Sequence, residues 1–291
     1  MGERGNHGSL GERSMASNHI YARVRHSAQK DLEAALRLLH ASARESFGEG
    51  SVHAVRKHVK RVRSLLRIVP RTNGRHRLKR VKSCLREVSN ALADLRDAQV
   101  LLRAVDGFRA DVGISRTTRL KLRALVRTRL RAAVGKHRPA DLRRWLAKRL
   151  KKASRLLRGW SPTESAEAFR QECRRLYERG RAAMELAVQR PADDDALHQW
   201  RKRVKDLLHV YELTLSARHS ATRVILSRIR ALTQVLGRDH DLAMLQAAVT
   251  SNLAHALSTG EPRTIHRVVS TKRRRLQRRA FELGARVYKD P

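Results

Sequence analysis

Acidic residues are scarce in this chain: 27 Asp and Glu face 65 Lys and Arg among 291 residues, leaving a formal charge of +38. So large a surplus exceeds what solubility needs, repels itself, and persists most easily beside a polyanion. Carboxylates are too few to line a small-molecule pocket built on acid–base chemistry. Aromatic residues make up only 4% of the chain, and no β-branched run alternates with polar residues, so strands are not expected. Cysteine is limited to Cys84 and Cys173, which excludes a disulfide framework and points to a reducing, intracellular setting. No stretch approaches the roughly 18 uninterrupted apolar residues of a membrane span, so no membrane partner is expected. The first 18 residues are polar and rich in Gly and Ser, without the apolar core of a secretory leader. What remains is a 41% hydrophobic fraction, enough for a packed core and too much for a disordered basic tail.

That fraction recurs with a period near 3.6 residues almost everywhere after residue 20, so the expected fold is all-α. A first helix is expected over 24–44, ending at Gly48 and Gly50, with Ser51 capping a second that runs to Pro70. A third spans 75–105, a fourth runs from Ser115 to Lys136, and a very basic one covers 141–158. Ser161-Pro162-Thr163-Glu164 reads as a helix start reaching Arg190, and Asp193-Asp194-Asp195 as the cap of the next, to residue 216. Two more are expected over 221–257 and 263–287.

The two halves match each other. Val52–Lys60 (VHAVRKHVK) aligns with Leu197–Lys205 (LHQWRKRVK) at an offset of 145, with five of nine positions identical. Leu92–Asp97 (LADLRD) aligns with Leu236–Asp241 (LGRDHD) at an offset of 144. The expected organisation is a disordered tail over 1–19, then one domain over 20–288. Within it lie repeat one (about 20–140), a basic connecting helix (about 141–159) and repeat two (about 161–288). Two pseudo-symmetric helical repeats joined by a short linker is the architecture this implies.

Positions 0, 3, 4 and 7 of a helix share one face. His53, Arg56, Lys57 and Lys60 therefore form one stripe, extended by Arg63 and Arg67, and His198, Arg201, Lys202 and Lys205 form another. Like charges four apart cost a helix roughly 0.2–0.5 kcal/mol per pair, so two such stripes call for a bridging anion. Arg binds phosphate oxygens in pairs, Lys adds a compact charge, and His adds a charge near neutral pH. Lys79, Arg86, Arg223 and Arg230 recur at the 144 offset and are secondary candidates to face the groove. Asp97 and Asp241 are expected to pair with nearby cations and orient them.

Paired H-x-x-R-K-x-x-K helices, each followed by a helix ending in R-D or H-D, resemble the CHAD family, the conserved-histidine α-helical domain. The resemblance covers about residues 20–288. It implies two four-helix bundles around a basic cavity that binds inorganic polyphosphate, with contacts from the eight residues His53 to Lys60 and His198 to Lys205 named above. It also implies a non-catalytic binding or targeting module, cytoplasmic and associated with polyphosphate granules. The second stripe departs from the first: Asp206 and Leu208 stand where the first has Arg61 and Arg63, and His240 where the first has Arg96. The E-x-E-x-K signature of the triphosphatase domain often fused to this family is absent, so a stand-alone form is expected.

No catalytic residue, cofactor or metal site is expected. His240-Asp241 lacks the further ligands of a metal-dependent phosphohydrolase and sits among arginines that repel a cation. His53 and His58 face different ways, which argues against a zinc pair. Trp145, Trp160 and Trp200 are ungrouped and read as packing anchors. Charge alone would equally support a nucleic-acid-binding helical protein. The repeated positions hold only cations, which grip phosphate but read no base, so nucleic acid is expected as a nonspecific partner.

Overall fold

The computed structural model describes residues 8–41, 49–70, 74–108, 113–136, 138–162, 165–214 and 220–289. Among them there is no strand, and the all-α expectation holds. The helices are α1 (Gly8–Ala41), α2 (Glu49–Leu65), α3 (Arg75–Ala91), α4 (Ala93–Asp106), α5 (Arg116–Gly135) and α6 (Pro139–Arg158). The second half supplies α7 (Ala166–Gln189), α8 (Asp194–Thr214), α9 (Ser220–Ala248) and α10 (Glu261–Val287). A π turn (Val249–Leu253) and a 3-10 turn (Ala254–Ala256) follow α9.

Side-chain caps fix some of the boundaries. Ser115 Oγ accepts from the Thr118 amide at 3.0 Å, and Asp193 Oδ1 accepts from the amides of Asp195 and Ala196 at 2.9 and 3.2 Å. Elsewhere the local signals misplace the ends. α2 begins at Glu49, ahead of Ser51, and α7 is capped by Ser165, whose Oγ takes the Ala168 amide at 3.1 Å, rather than by Ser161. Thr163 and Glu164 of the expected start lie outside the described residues, as does Gly48. α1 begins at Gly8 and runs to Ala41.

The third helix is broken in two at Leu92. Ser89 Oγ bonds back to the Leu85 carbonyl at 2.7 Å, a pairing that bends helices, and the Ser89 carbonyl is taken by Arg56 at 2.7 Å. The carbonyl thus accepts from a side chain of α2 at the point where the helix breaks.

α1 packs on α2, α6, α7 and α8, and one apolar cluster runs through both halves. Tyr21, Leu32 and Leu39 of α1 meet Val55 and Val62 of α2, Leu146 and Leu150 of α6, and Trp200 and Val204 of α8 in that cluster. α6, read from sequence as a connector, buries Leu142, Leu146, Leu150 and Leu157 and packs against α3 and α1. It is a core helix because its apolar residues recur at four- and seven-residue spacing. A second cluster joins Leu101, Val105 and Phe108 of the first half to Leu245, Val249 and Ile265 of the second. The halves therefore share both cores, and α2 and α8 are held against each other between them.

Trp160 and Trp200 are fully buried anchors, Trp200 stacked on Phe281 with ring centroids 5.6 Å apart. Gly74, at φ 65°, turns the chain into α3; a Cβ there would lie 2.7 Å from the Trp160 ring. Both cysteines are free, Cys84 buried and Cys173 half-buried.

Candidate functional site

α2 and α8 cross in opposite directions: Lys57 lies near His209, Lys60 near Lys205, and Arg63 and Arg67 near Lys202. The hydrophobic period that buries Val55, Val59 and Val62 on one helix, and Trp200, Val204 and Leu207 on the other, leaves the cationic stripes on the flanks that meet. Between them lies a cavity of about 250 Å³. α2 contributes Arg56, Lys60, Arg63 and Arg67, and α8 contributes His198, Arg201, Lys202 and Lys205. Arg96 of α4 and His209 of α8 complete the basic lining, and Asp206 is the one carboxylate in it.

These side chains are held in place. Arg56 donates to the Ser89 carbonyl at 2.7 Å and Arg63 to Ser89 Oγ at 3.2 Å, so the break between α3 and α4 anchors two cations of the groove. Arg67 is ion-paired with Asp206, which also accepts from Ser64 Oγ at 2.7 Å. Arg96 donates to Asp97 at 2.8 Å. The Nε atoms of Arg56 and Arg201 are buried and find no partner among the described residues. Oriented donors without acceptors, walled by cations, are what a multivalent anion would satisfy.

The same helices are those of a known family. A family model, the CHAD domain, matches residues 23–250. The chain belongs to the CHAD family. Its fold is similar to PptA from Streptomyces chartreusis, with a TM-score of 0.69 at 15% identity over 93% of this chain and 99% of that one. It is also similar to the CHAD domain from the plant Ricinus communis, with a TM-score of 0.55 at 20% identity over 96% of this chain and 92% of that one. No curated protein sequence matches the chain.

The electrostatics of this CHAD groove follow from crowding. Burial, reinforced by Lys205, Arg96, Arg201 and Arg56, pushes Lys60 down to about 6. Lys205 is pushed down to about 8 by burial and by Arg201 and Arg96. Burial and a neighbouring arginine lower Arg56 and Arg201 to about 10. The histidines behave differently from the sequence expectation of a charge near neutral pH. Burial and neighbouring cations lower His53, and take His198 and His209 to about 4. They are neutral hydrogen-bonding groups in the groove. His198 stacks on His240, centroids 4.4 Å apart, with their Nδ1 atoms at 3.2 Å.

Not every candidate lines the cavity. His53 is exposed and sits 3.3 Å from an Arg103 nitrogen, at the end of the groove, and Lys57 is exposed beside His53 and His209. Arg86 is exposed but close enough to act on Arg63. Lys79 and Arg223 are exposed elsewhere, and Arg230 pairs with Glu212 at 2.9 Å, because recurrence at an offset fixes equivalence and not direction. Asp97 faces Arg56 and Arg96; Asp241 acts on Arg201 and Lys205. Arg96, Asp206 and His209 were not among the sequence candidates. Arg96 carried a signal, since it lies in the repeated motif opposite His240; Asp206 was visible only as a departure from the first stripe. Among the described residues no cluster of His, Cys, Asp and Glu could hold a metal ion.

Proposed function

We propose that this protein binds inorganic polyphosphate in the groove between α2 and α8, without catalysis, as a binding or targeting module. The observation that carries the reading is the convergence of both stripes on one cavity lined by eight Lys and Arg side chains and a single carboxylate, itself engaged by Arg67. Belonging to the CHAD family, in which polyphosphate binding is general, supports it. His53, Lys57 and Arg86 extend the contact surface beyond the cavity. Toward polyphosphate in the groove, Asp97 and Asp241 orient cations rather than touch the chain. The 144–145 offset supports a pseudo-symmetric pairing of repeat one (20–140) with repeat two (161–288), the α2–α8 crossing near its axis. Location at polyphosphate granules follows from the ligand; among the described residues no helix is long and apolar enough to cross a membrane.

Cations alone grip phosphate and read no base, so a ligand that is phosphate throughout is favoured over nucleic acid. Competition calorimetry tests this: long polyphosphate is expected to displace duplex and single-stranded DNA at near-physiological salt. Equal displacement in both directions would overturn the preference.

A further inference from the structure

A second cavity lies apart from the groove. About 560 Å³ in volume, within the roughly 300–1,000 Å³ of small-molecule sites, it opens between the end of α4, the middle of α9 and α10. Its floor is apolar, formed by Ala104, Phe108, Leu242 and Leu276, and its walls carry Arg103, Arg238, Lys272 and Arg275 with one acid, Asp241. The Lys272 ammonium sits 5.1 Å from the Phe108 ring centroid. Two of its residues connect it to the groove: Arg103 reaches His53, and Asp241 acts on Arg201 and Lys205.

We propose that this cavity is a second ligand site, which takes a nucleoside polyphosphate with its base in the cavity and its phosphates toward the groove. The chemistry selects this class. A purely ionic ligand leaves the apolar floor unused. A lipid phosphate needs a long apolar tunnel, whereas here four cations and a carboxylate interrupt the lining. A flat base fits both features, since guanidinium planes such as Arg238 and Arg275 stack on bases, and the Asp241 carboxylate accepts from a base amino group. The phosphates then lie on the side of Arg103, where His53 and the groove begin.

Calorimetry on the full chain compares ATP with inorganic tripolyphosphate and geranyl diphosphate, without added metal. ATP is expected to bind about tenfold tighter than tripolyphosphate, the scale of one base stacked on a side chain. Arg238→Ala/Arg275→Ala removes two exposed side chains, so the fold is kept, and the ratio of the two affinities cancels the loss of net charge. That ratio is expected to fall to about one. Equal binding of ATP and tripolyphosphate by the unaltered chain, an ATP preference that survives the double substitution, or tighter binding of geranyl diphosphate would each overturn the assignment. Long polyphosphate is titrated alongside: binding of it without any ATP preference would sink this site and leave the groove standing.

Discussion

Asp206 of α8 is ion-paired with Arg67 of α2 and accepts from Ser64 of the same helix at 2.7 Å, so the one carboxylate lining the groove ties its two walls together. It is almost fully buried, and its role is to join the halves. Asp206→Asn keeps the shape but leaves Arg67 without a countercharge. Stability is expected to drop by about 1–3 kcal/mol, the scale of hydrogen bonds to charged groups, in urea denaturation. Polyphosphate affinity should hold or rise, since a repelling charge is gone. A parallel loss of affinity would show that Asp206 shapes the ligand site itself.

Proton uptake should accompany ligand binding. Lys60 has its pKa lowered to about 6 and Lys205 to about 8, from an ordinary 10.5, with burial the first cause in each. The groups facing Lys60 are Arg56 on its own helix, Arg96 on α4, and Arg201 and Lys205 on α8, all cations. An anion reverses the penalty and draws a proton onto Lys60. Affinity should therefore fall as pH rises above 6, and further above 8. Calorimetry at pH 7 in buffers of different ionisation enthalpy should report about one proton taken up, and Lys60→Arg should flatten the profile between pH 6 and 8.

The same shifts set the stability of the ligand-free protein. Between about pH 6 and 10 the unfolded chain binds more protons than the folded one, because both lysines are charged when unfolded and partly neutral when folded. Stability should rise with pH across that window, and polyphosphate should reduce the slope. A melting temperature that fell steadily from pH 6 to 9 would contradict the burial of Lys60.

How much of this was legible in the sequence depends on which signal carried it. The stripes were legible because helical spacing places His198, Arg201, Lys202 and Lys205 on one face whatever the tertiary structure. Their meeting was legible only through the repeat. The break at Leu92 was not, because it depends on Arg56 reaching the Ser89 carbonyl from another helix. The role of α6 was hidden by its charge: eight Lys and Arg in Pro139–Arg158 masked the leucine spacing beneath. Asp206 looked like a defect of the second stripe because its partner, Arg67, is 139 residues away.

Packing around the second stripe is equally exacting. Gly284 of α10 lies against Trp200, and a Cβ there would fall 2.6 Å from Met184 Sδ and 2.7 Å from Trp200 Cζ2. Gly284→Ala should cost about 1–3 kcal/mol by overpacking, and Trp200→Ala about 3–5 kcal/mol by leaving a void. Urea midpoints check both; a neutral Gly284→Ala would mean that α10 sits further from α8 than described.

Binding should also weaken steeply with salt. Several neutralised phosphates release several counterions, so a plot of log affinity against log salt should fall with a slope of several units, by analogy with roughly −0.9 per contact on duplex DNA. Each groove cation replaced by Ala should reduce that slope by about one unit. An affinity flat from low to high salt would place the ligand elsewhere.

The central claim is that the groove, and not net charge, holds polyphosphate. The most direct measurement is the affinity of a long polyphosphate for three chains at one salt concentration: unaltered, Arg56→Ala/Lys60→Ala/Lys205→Ala, and Lys148→Ala/Lys151→Ala/Arg155→Ala. Each of the last two loses three basic side chains, but the control set lines a separate basic surface between α1 and α6. The groove variant is expected to lose at least about a hundredfold, since three charge-assisted contacts worth about 1.5 kcal/mol or more each are removed, and the control only a few-fold. Equal losses in the two variants would contradict the groove assignment.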